Sequence, residues 1–206
     1  MQGRMAFMLE TERLLLRKWK ESDAESLFEY ASDPAVGPIA GWPPHKSVEE
    51  SRAVIANVLN GPECYAICEK GKERAIGAVE LQLNGRTAMT ECELGYWLGR
   101  PFWGRGYMTE AAGALIRRGF EELGTEVIWC SYCDGNLKSK RVQEKLGFVY
   151  HITRTDVPVP LMHEVRVEHT NVLAKAHWEE INMSKPRKDA DEGTDIAAAS
   201  TLIGLL

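Results

Sequence analysis

Two glycines one residue apart, Gly104 and Gly106, stand between a strand-like run and an amphipathic stretch. The segment reads Glu91-Cys-Glu-Leu-Gly-Tyr-Trp-Leu-Gly-Arg-Pro-Phe-Trp-Gly-Arg-Gly-Tyr-Met-Thr-Glu-Ala111. A strand that turns through glycines into a helix N-terminus can aim successive amides into one concavity, at the positive end of the helix dipole. That arrangement suits a phosphate. The same pattern also makes a tight turn without a ligand, and Gly-x-Gly alone does not separate the two. Two other phosphate loops do not fit. Gly99 and Gly104 have the Walker spacing, but Arg105-Gly106 stands where Lys and Ser/Thr belong. A dinucleotide fingerprint opening at Gly104-x-Gly106 has Thr109 in place of its third glycine, and it follows several elements instead of the first strand.

The thiols and imidazoles carry less. Cys130-x-x-Cys133 lacks a second pair, because Cys64, Cys68 and Cys92 supply none at short spacing. On a strand, odd spacing sends the two to opposite faces. His45, His151, His163, His169 and His177 show no close pairing. The expectation is reduced thiols in a cytoplasmic protein, with no metal.

These groups need a scaffold. The chain has 206 residues, 44% hydrophobic and 27% charged, enough for one domain with a tail. No apolar run approaches the roughly 18 residues of a membrane span, and residues 1–17 show no secretory h-region. The net charge of −5 argues against a general nucleic-acid binder but allows a local anion site. Leu14 to Leu16 predicts a first strand. Ser22 or Asp23 is expected to cap a helix carrying Ala24, Leu27, Phe28 and Ala31. Ser47 and Glu50 form a capping box for a helix with the stripe Val48, Val54, Ile55, Val58 and Leu59. Strands are expected over 64–68, 75–83, 91–98 and 127–132. Met108, Ala111, Ala112, Leu115, Ile116, Gly119 and Phe120 share one helical face. A helix over 136–146 ends at Gly147-Phe148 in a Schellman pattern, and late strands cover 148–153 and 165–174. Composition turns polar near residue 182. The expected division is therefore a domain over 1–182 and a tail over 183–206, a polar linker with a short apolar end.

Trp103-Gly-Arg-Gly-Tyr-Met-Thr-Glu-Ala111, after Glu93-Leu-Gly-Tyr-Trp97, resembles the acetyl-CoA loop of the GNAT N-acetyltransferase superfamily, in its RimJ/RimL branch of ribosomal-protein N-terminal acetyltransferases. Thr11-Glu-Arg-Leu-Leu-Leu-Arg17 resembles that branch's opening strand. Asn136-Leu-Lys-Ser-Lys-Arg-Val-Gln-Glu-Lys-Leu-Gly-Phe148 resembles its second cofactor-side helix, and Glu168-His169 followed by Trp178 its closing strand. The resemblance spans about residues 9 to 181. It implies an α/β (α+β) fold: one domain, with a mixed, mostly antiparallel sheet of about seven strands and helices on both faces. It implies direct acetyl transfer from acetyl-CoA to a primary amine, a protein N-terminus or a small amine, by a monomer or homodimer without metal.

The resemblance also implies roles. Amides from Phe102 through Trp103, Gly104, Arg105 and Gly106 to Tyr107 would hold the pyrophosphate, with Thr109 in the first helical turn. Arg100, Arg105, Lys138 and Lys140 would add positive charge. The amide of Leu98 or Gly99 would face the thioester oxygen. Asn136 would contact the cofactor arm, or simply cap its helix. Ser139 would hydrogen-bond the leaving thiolate, or be a surface serine. Glu93 is the first candidate base, with Glu91 on its strand face and Glu168 on the late strand as rivals. Trp42 and His45, in the proline-rich loop, would border the acceptor. Two positions depart from the superfamily: Pro101 replaces a frequent Gln or Arg, and Gln143 stands where many members carry a tyrosine that protonates the thiolate. Those departures keep open a non-catalytic acyl-CoA sensor beside the enzyme.

Overall fold

The structure is a computed structural model that describes residues 8–83 and 90–183. Eight strands form one sheet in the order β1-β2-β3-β4-β5-β6-β8-β7. They are β1 (Leu9–Glu10), β2 (Leu14–Arg17), β3 (Cys64–Glu69), β4 (Ala75–Gln82), β5 (Glu91–Leu98), β6 (Val127–Cys133), β7 (Val149–Val159) and β8 (Glu164–Ala174). The helices are α1 (Ala24–Ala31), α2 (Gly37–Ala40), α3 (Val48–Asn57), α4 (Tyr107–Glu121), α5 (Leu137–Leu146) and α6 (Lys175–Met183). The expected seven strands become eight because Leu9–Glu10 folds back antiparallel on β2 as a separate short strand. The tail beyond residue 183 lies outside the described residues.

Helix α4 organises the core. Its buried residues are Met108, Ala111, Ala112, Leu115, Ile116, Gly119 and Phe120, the stripe that the 3.6-residue period predicts. They pack on Leu14, Leu16, Val79, Leu81, Cys92, Leu94 and Ile128. Each large side chain among them contributes about 1.5–3 kcal/mol of burial. A second cluster lies under α1 and α3, where Ala24, Leu27, Ala31 and Ile55 meet Trp19, Trp42 and Trp97. Val58 is not part of it. The helix stops at Asn57, and Val58 is 62% exposed beyond the end.

Two capping expectations shift by one step. Ser47 does accept from the Glu50 amide at 3.1 Å, but the Glu50 carboxylate closes on the Lys46 amide at 2.6 Å, one residue before the cap. Neither Ser22 nor Asp23 caps α1 with its side chain. Both lie in a 3-10 turn, Glu21–Asp23. The Asp23 carboxylate instead takes both Arg17 guanidinium nitrogens at 2.7 Å and the Lys20 amide at 2.8 Å. The Schellman stop forms as read: the Gly147 amide donates to Glu144 and the Phe148 amide to Gln143, with Gly147 left-handed at φ 88°.

Arg17 and Asp23 are 6% and 5% exposed, so this bidentate pair is buried between β2 and the second cluster. Removing one partner strands a charge in a low-dielectric site. Asp23→Ala is expected to cost about 3–5 kcal/mol, read as a lower urea midpoint. Asp23→Asn is expected to cost less, because it keeps an acceptor.

Candidate active site

Strand β5 is where the sheet changes character. Its antiparallel ladder with β4 is continuous from Gln82↔Glu93 to Gly77↔Leu98. On its other edge it runs parallel to β6, and that pairing covers only Glu91↔Val127, Cys92↔Ile128 and Glu93↔Trp129. Beyond Glu93 the two strands part. From Cys130 onward β6 continues its pairing with β8 alone. The Gly99 amide donates to the Ile76 carbonyl at 2.8 Å on the β4 side. Antiparallel alternation therefore turns the Leu98 amide and carbonyl toward the gap. The Trp103 indole N–H occupies that carbonyl at 2.7 Å. Of the two amides expected at a thioester oxygen, Gly99 is thus spent in the sheet, and Leu98 faces the opening.

The loop after β5 begins as a 3-10 turn over Arg100–Phe102. The Phe102 amide donates to Gly99 at 3.0 Å and the Trp103 amide to Arg100 at 3.2 Å. The expected six-residue amide cradle therefore loses its first two members. Gly104 and Gly106 then adopt φ of 76° and 78°, a region that non-glycine residues enter at about 1–2 kcal/mol. Gly106 is the N-cap of α4, and no side chain caps that end. Among the described residues, no protein acceptor takes the amides from Gly104 to Thr109. Uncapped amides at a positive helix end fit an anionic group.

The charges expected around this cradle mostly have other partners. Arg100 pairs with Asp33 at 2.7 Å, and Lys140 approaches Glu144 at 4.0 Å along α5. Arg105 lies over the Phe102 ring at 5.6 Å. Lys138 sits 3.8 Å over the Trp103 ring, which ties the start of α5 to the loop. The residue that sequence reasoning missed is Arg13. It donates to the Arg105 carbonyl at 3.0 Å and lies over the Tyr107 ring at 4.8 Å. It also grips Glu110, through its amide and its Nε, both at 2.7 Å. Thr11 donates to the same carboxylate. The opening motif Thr11-Glu-Arg13 is therefore a clamp on the first turn of α4. Its spacing carried the signal, but its target lies 97 residues away.

On the α4 side of the gap, the Tyr96 hydroxyl lies 2.9 Å from Ser139 Oγ and donates to the Ser139 carbonyl at 3.2 Å. Gln143, fully buried, donates to Ser139 Oγ at 3.2 Å and accepts from Asn171 at 2.8 Å. Burial pushes the Tyr96 phenol well above its usual range, and the thiol of Cys130 raises it further. Bonds with Ser139 and Gln143 oppose that only in part. Asn136 accepts from the Ser139 amide at 3.2 Å, so it acts as the helix cap.

The opposite face carries Glu91, Glu93 and Trp97. Glu91 accepts from the Trp129 indole at 2.9 Å. Trp97 touches Trp42, with ring centroids 6.0 Å apart, and Trp42 in turn lies against His45 at 5.5 Å. The proline-rich loop thus reaches the face that Glu93 shares. His45 Nδ1 meets Ser51 at 2.8 Å, and burial lowers its pKa against the pull of Glu50. Glu168 lies on β8, opposite Cys133 in β6, with Arg154 at 4.0 Å. Cys130 is buried and Cys133 half-buried, and no disulfide joins the five cysteines in this structure. Among the described residues no cluster of metal-ligating side chains occurs, and no helix is long and apolar enough to cross a membrane.

Residues 13–149 match the acetyltransferase (GNAT) domain. The chain belongs to the GNAT family. An uncharacterized N-acetyltransferase of Bacillus licheniformis, p20, is 34% identical over 149 residues, which covers 68% of this chain and 81% of the relative. YdaF of Bacillus subtilis (strain 168), a candidate ribosomal N-acetyltransferase by name, is 36% identical over 90 residues, or 43% of this chain and 48% of that one. A GNAT-family acetyltransferase from Bacillus anthracis shares the fold with a TM-score of 0.73, at 24% identity over 82% of this chain and 99% of its own. The parted strands and the bare α4 N-terminus lie within the matched residues 13–149, and the Thr11–Arg13 clamp spans the start of the match.

The clamp has a pH signature. Burial would raise the Glu110 carboxyl, but the bonds from Thr11 and Arg13 outweigh it and hold the group below its ordinary value. A depressed folded pKa gives stability that is present above the unfolded value, about 4.3, and lost as pH falls through the folded one. Glu110→Gln is expected to flatten the acid limb of stability against pH, measured by urea unfolding between about pH 3 and 7.

Proposed function

We propose that this chain moves the acetyl group of acetyl-CoA onto a primary amine by direct attack, and that the amine is the N-terminus of a protein. The observation that carries the reading is the gap between β5 and β6, which leads to the uncapped amides of α4. An extended pantetheine arm can pair with the β5 edge that lacks a partner. The pyrophosphate then meets Gly104 to Thr109, and the Leu98 amide is aimed where a thioester oxygen gathers charge. The acceptor enters from the opposite face, between Trp42, Trp97 and Glu93.

The attacking amine must be neutral. An α-amino group titrates near about 7.7–8.0 and a lysine near about 10.4, so an N-terminus needs little help at neutral pH. Glu93, at the last paired position before the gap, is the proposed base, acting through water. Glu91, two residues away on the same strand face, and Glu168 on β8 would shape the acceptor site. The name of YdaF supports a ribosomal protein as the acceptor. The division into a domain over 1–182 and a separate tail, and a cytoplasmic location, belong to the same proposal.

The reading is tested by CoA release from acetyl-CoA against a panel of N-terminal peptides and small amines. Peptides are expected to be turned over best. Tight acetyl-CoA binding with no CoA release would point to a sensor instead. Acetyl-CoA at 100 times Kd should stabilise the fold by about 2.7 kcal/mol, seen as a higher Tm. Gly106→Val should abolish that shift, because a side chain there strains a left-handed backbone at the start of α4 and crowds the Arg13 guanidinium, 3.4 Å from the added Cβ. Glu93→Gln should leave acetyl-CoA binding intact and lower kcat/KM about 10²–10⁴-fold near neutral pH. That loss should shrink as pH rises toward the amine's own pKa. A flat result for Glu93→Gln would remove it as base.

A further inference from the structure

Breaking the thioester leaves a thiolate, and at the α5 position where many members of the superfamily carry a tyrosine this chain has the amide of Gln143, whose hydrogens are not acidic. The structure shows a different hydroxyl at the gap. Tyr96 starts from β5, reaches across to Ser139 on α5, and lies beside Cys130 on β6. We infer that Tyr96, ordered by Ser139, Gln143 and Asn171, gives the departing thiolate its proton. This rests on the acetyl transfer proposed above and adds to it the identity of the acid.

Hydrogen-bond directions carry the argument. Asn171 donates to Gln143 Oε1 at 2.8 Å, which fixes that amide and turns its Nε2 toward Ser139 Oγ at 3.2 Å. With the Tyr96 hydrogen directed at the Ser139 carbonyl, the Ser139 hydroxyl is the donor to Tyr96 Oη across 2.9 Å. The Tyr96 hydrogen then rests on the Ser139 carbonyl at 3.2 Å, a long bond for a hydroxyl donor. A thiolate in the gap is a stronger acceptor than that carbonyl and takes the hydrogen from it. Burial keeps the phenol protonated across the physiological range. The hydrogen is therefore in place when the thiolate forms.

The step balances. The C–S bond breaks and its electron pair goes to sulfur. The Tyr96 Oη–H bond breaks and S–H forms. The phenolate, stabilised by the Ser139 donor, recovers a proton from solvent, and the acceptor nitrogen releases one as it becomes an amide. Gln143 and Asn171 touch no reacting atom and act as positioning residues.

The test uses the full chain in three forms: wild type, Tyr96→Phe and Ser139→Ala. Two quantities are read, kcat at saturating substrates and the pKa of the thiol of bound CoA, followed by the ultraviolet absorbance of its thiolate. Tyr96→Phe is expected to lower kcat about 10²-fold or more while acetyl-CoA Kd stays within about threefold. It should also raise the bound thiol's pKa by about one unit, because a donor to the thiolate is gone. A merely structural role for the phenol would not move that pKa. Imidazole buffer should restore part of the lost rate by supplying the proton from solution. Ser139→Ala keeps the phenol, so its loss should stay below about tenfold. A larger loss for Ser139→Ala than for Tyr96→Phe would make the serine the acid and overturn the inference. Unchanged kcat and thiol pKa in Tyr96→Phe would also overturn it. If Tyr96→Phe does not fold, Ser139→Ala decides alone: a loss under tenfold supports the phenol, a loss of about 10²-fold or more assigns the serine. A wild-type protein that binds no CoA would sink the proposed function itself, whereas transfer that survives Tyr96→Phe sinks only the acid.

Discussion

A parallel ladder that stops after three residue pairs leaves a strand edge to be accounted for. Backbone N–H and C=O groups inside a sheet are costly to leave without partners. Here the β5 edge from Leu94 to Leu98 turns toward a strand that has moved away to β8. One carbonyl, that of Leu98, is met by the Trp103 indole. The rest of the edge asks for an extended chain with its own amides. Much else in the molecule follows from this single divergence. Parallel strands put the ends of β5 and β6 at the same side of the sheet, so the loops leading into α4 and α5 become neighbours. The Lys138–Trp103 and Tyr96–Ser139 contacts are the result.

The divergence must be held without the ladder that normally fixes neighbouring strands. The substitutes are side chains from distant parts of the sequence. Arg13 and Thr11, at the far end of the sheet, fix the first turn of α4 through Glu110. Gln143 and Asn171 fix α5 against β8. Both devices are polar and well satisfied, which suits their task. Apolar packing under α4 fills space but does not set direction, whereas bidentate and amide bonds do. The glycines complete the arrangement by taking left-handed conformations where any other residue would be strained.

Period and punctuation made much of the fold legible. The α4 stripe, the Schellman stop at Gly147 and the Ser47 cap are local signals, and each appears in the structure where the sequence places it. The misses share a cause. Val58 fits the helical period, yet the helix ends before it, because periodicity does not mark a terminus. Asp23 looks like a cap, but Arg17 is buried beside it and takes the carboxylate. In the site, the Gly104–Gly106 turn was legible because backbone conformation is written in residue type. Arg13 and Tyr96 were not, since their partners lie 97 and 43 residues away along the chain. The charge of Arg100 was legible, but its commitment to Asp33 was not. A sequence shows which groups exist and leaves pairing to the fold.

The two sides of β5 differ in a way that bears on mechanism. Toward α4, the groups near the gap are buried and neutral: a phenol and a thiol that burial keeps protonated, with an amide and a hydroxyl between them. Their protonation does not change over the pH range in which an amine titrates. Toward α1 and α3, carboxylates and indoles share a half-buried surface. A reaction run across this strand would therefore draw its pH dependence almost entirely from the acceptor side. The leaving-group side would act at constant protonation, through position and hydrogen-bond direction. Such a division lets the acceptor face vary in shape and charge without disturbing the machinery that handles sulfur, because the β5 backbone, with its unbroken ladder to β4, stands between them.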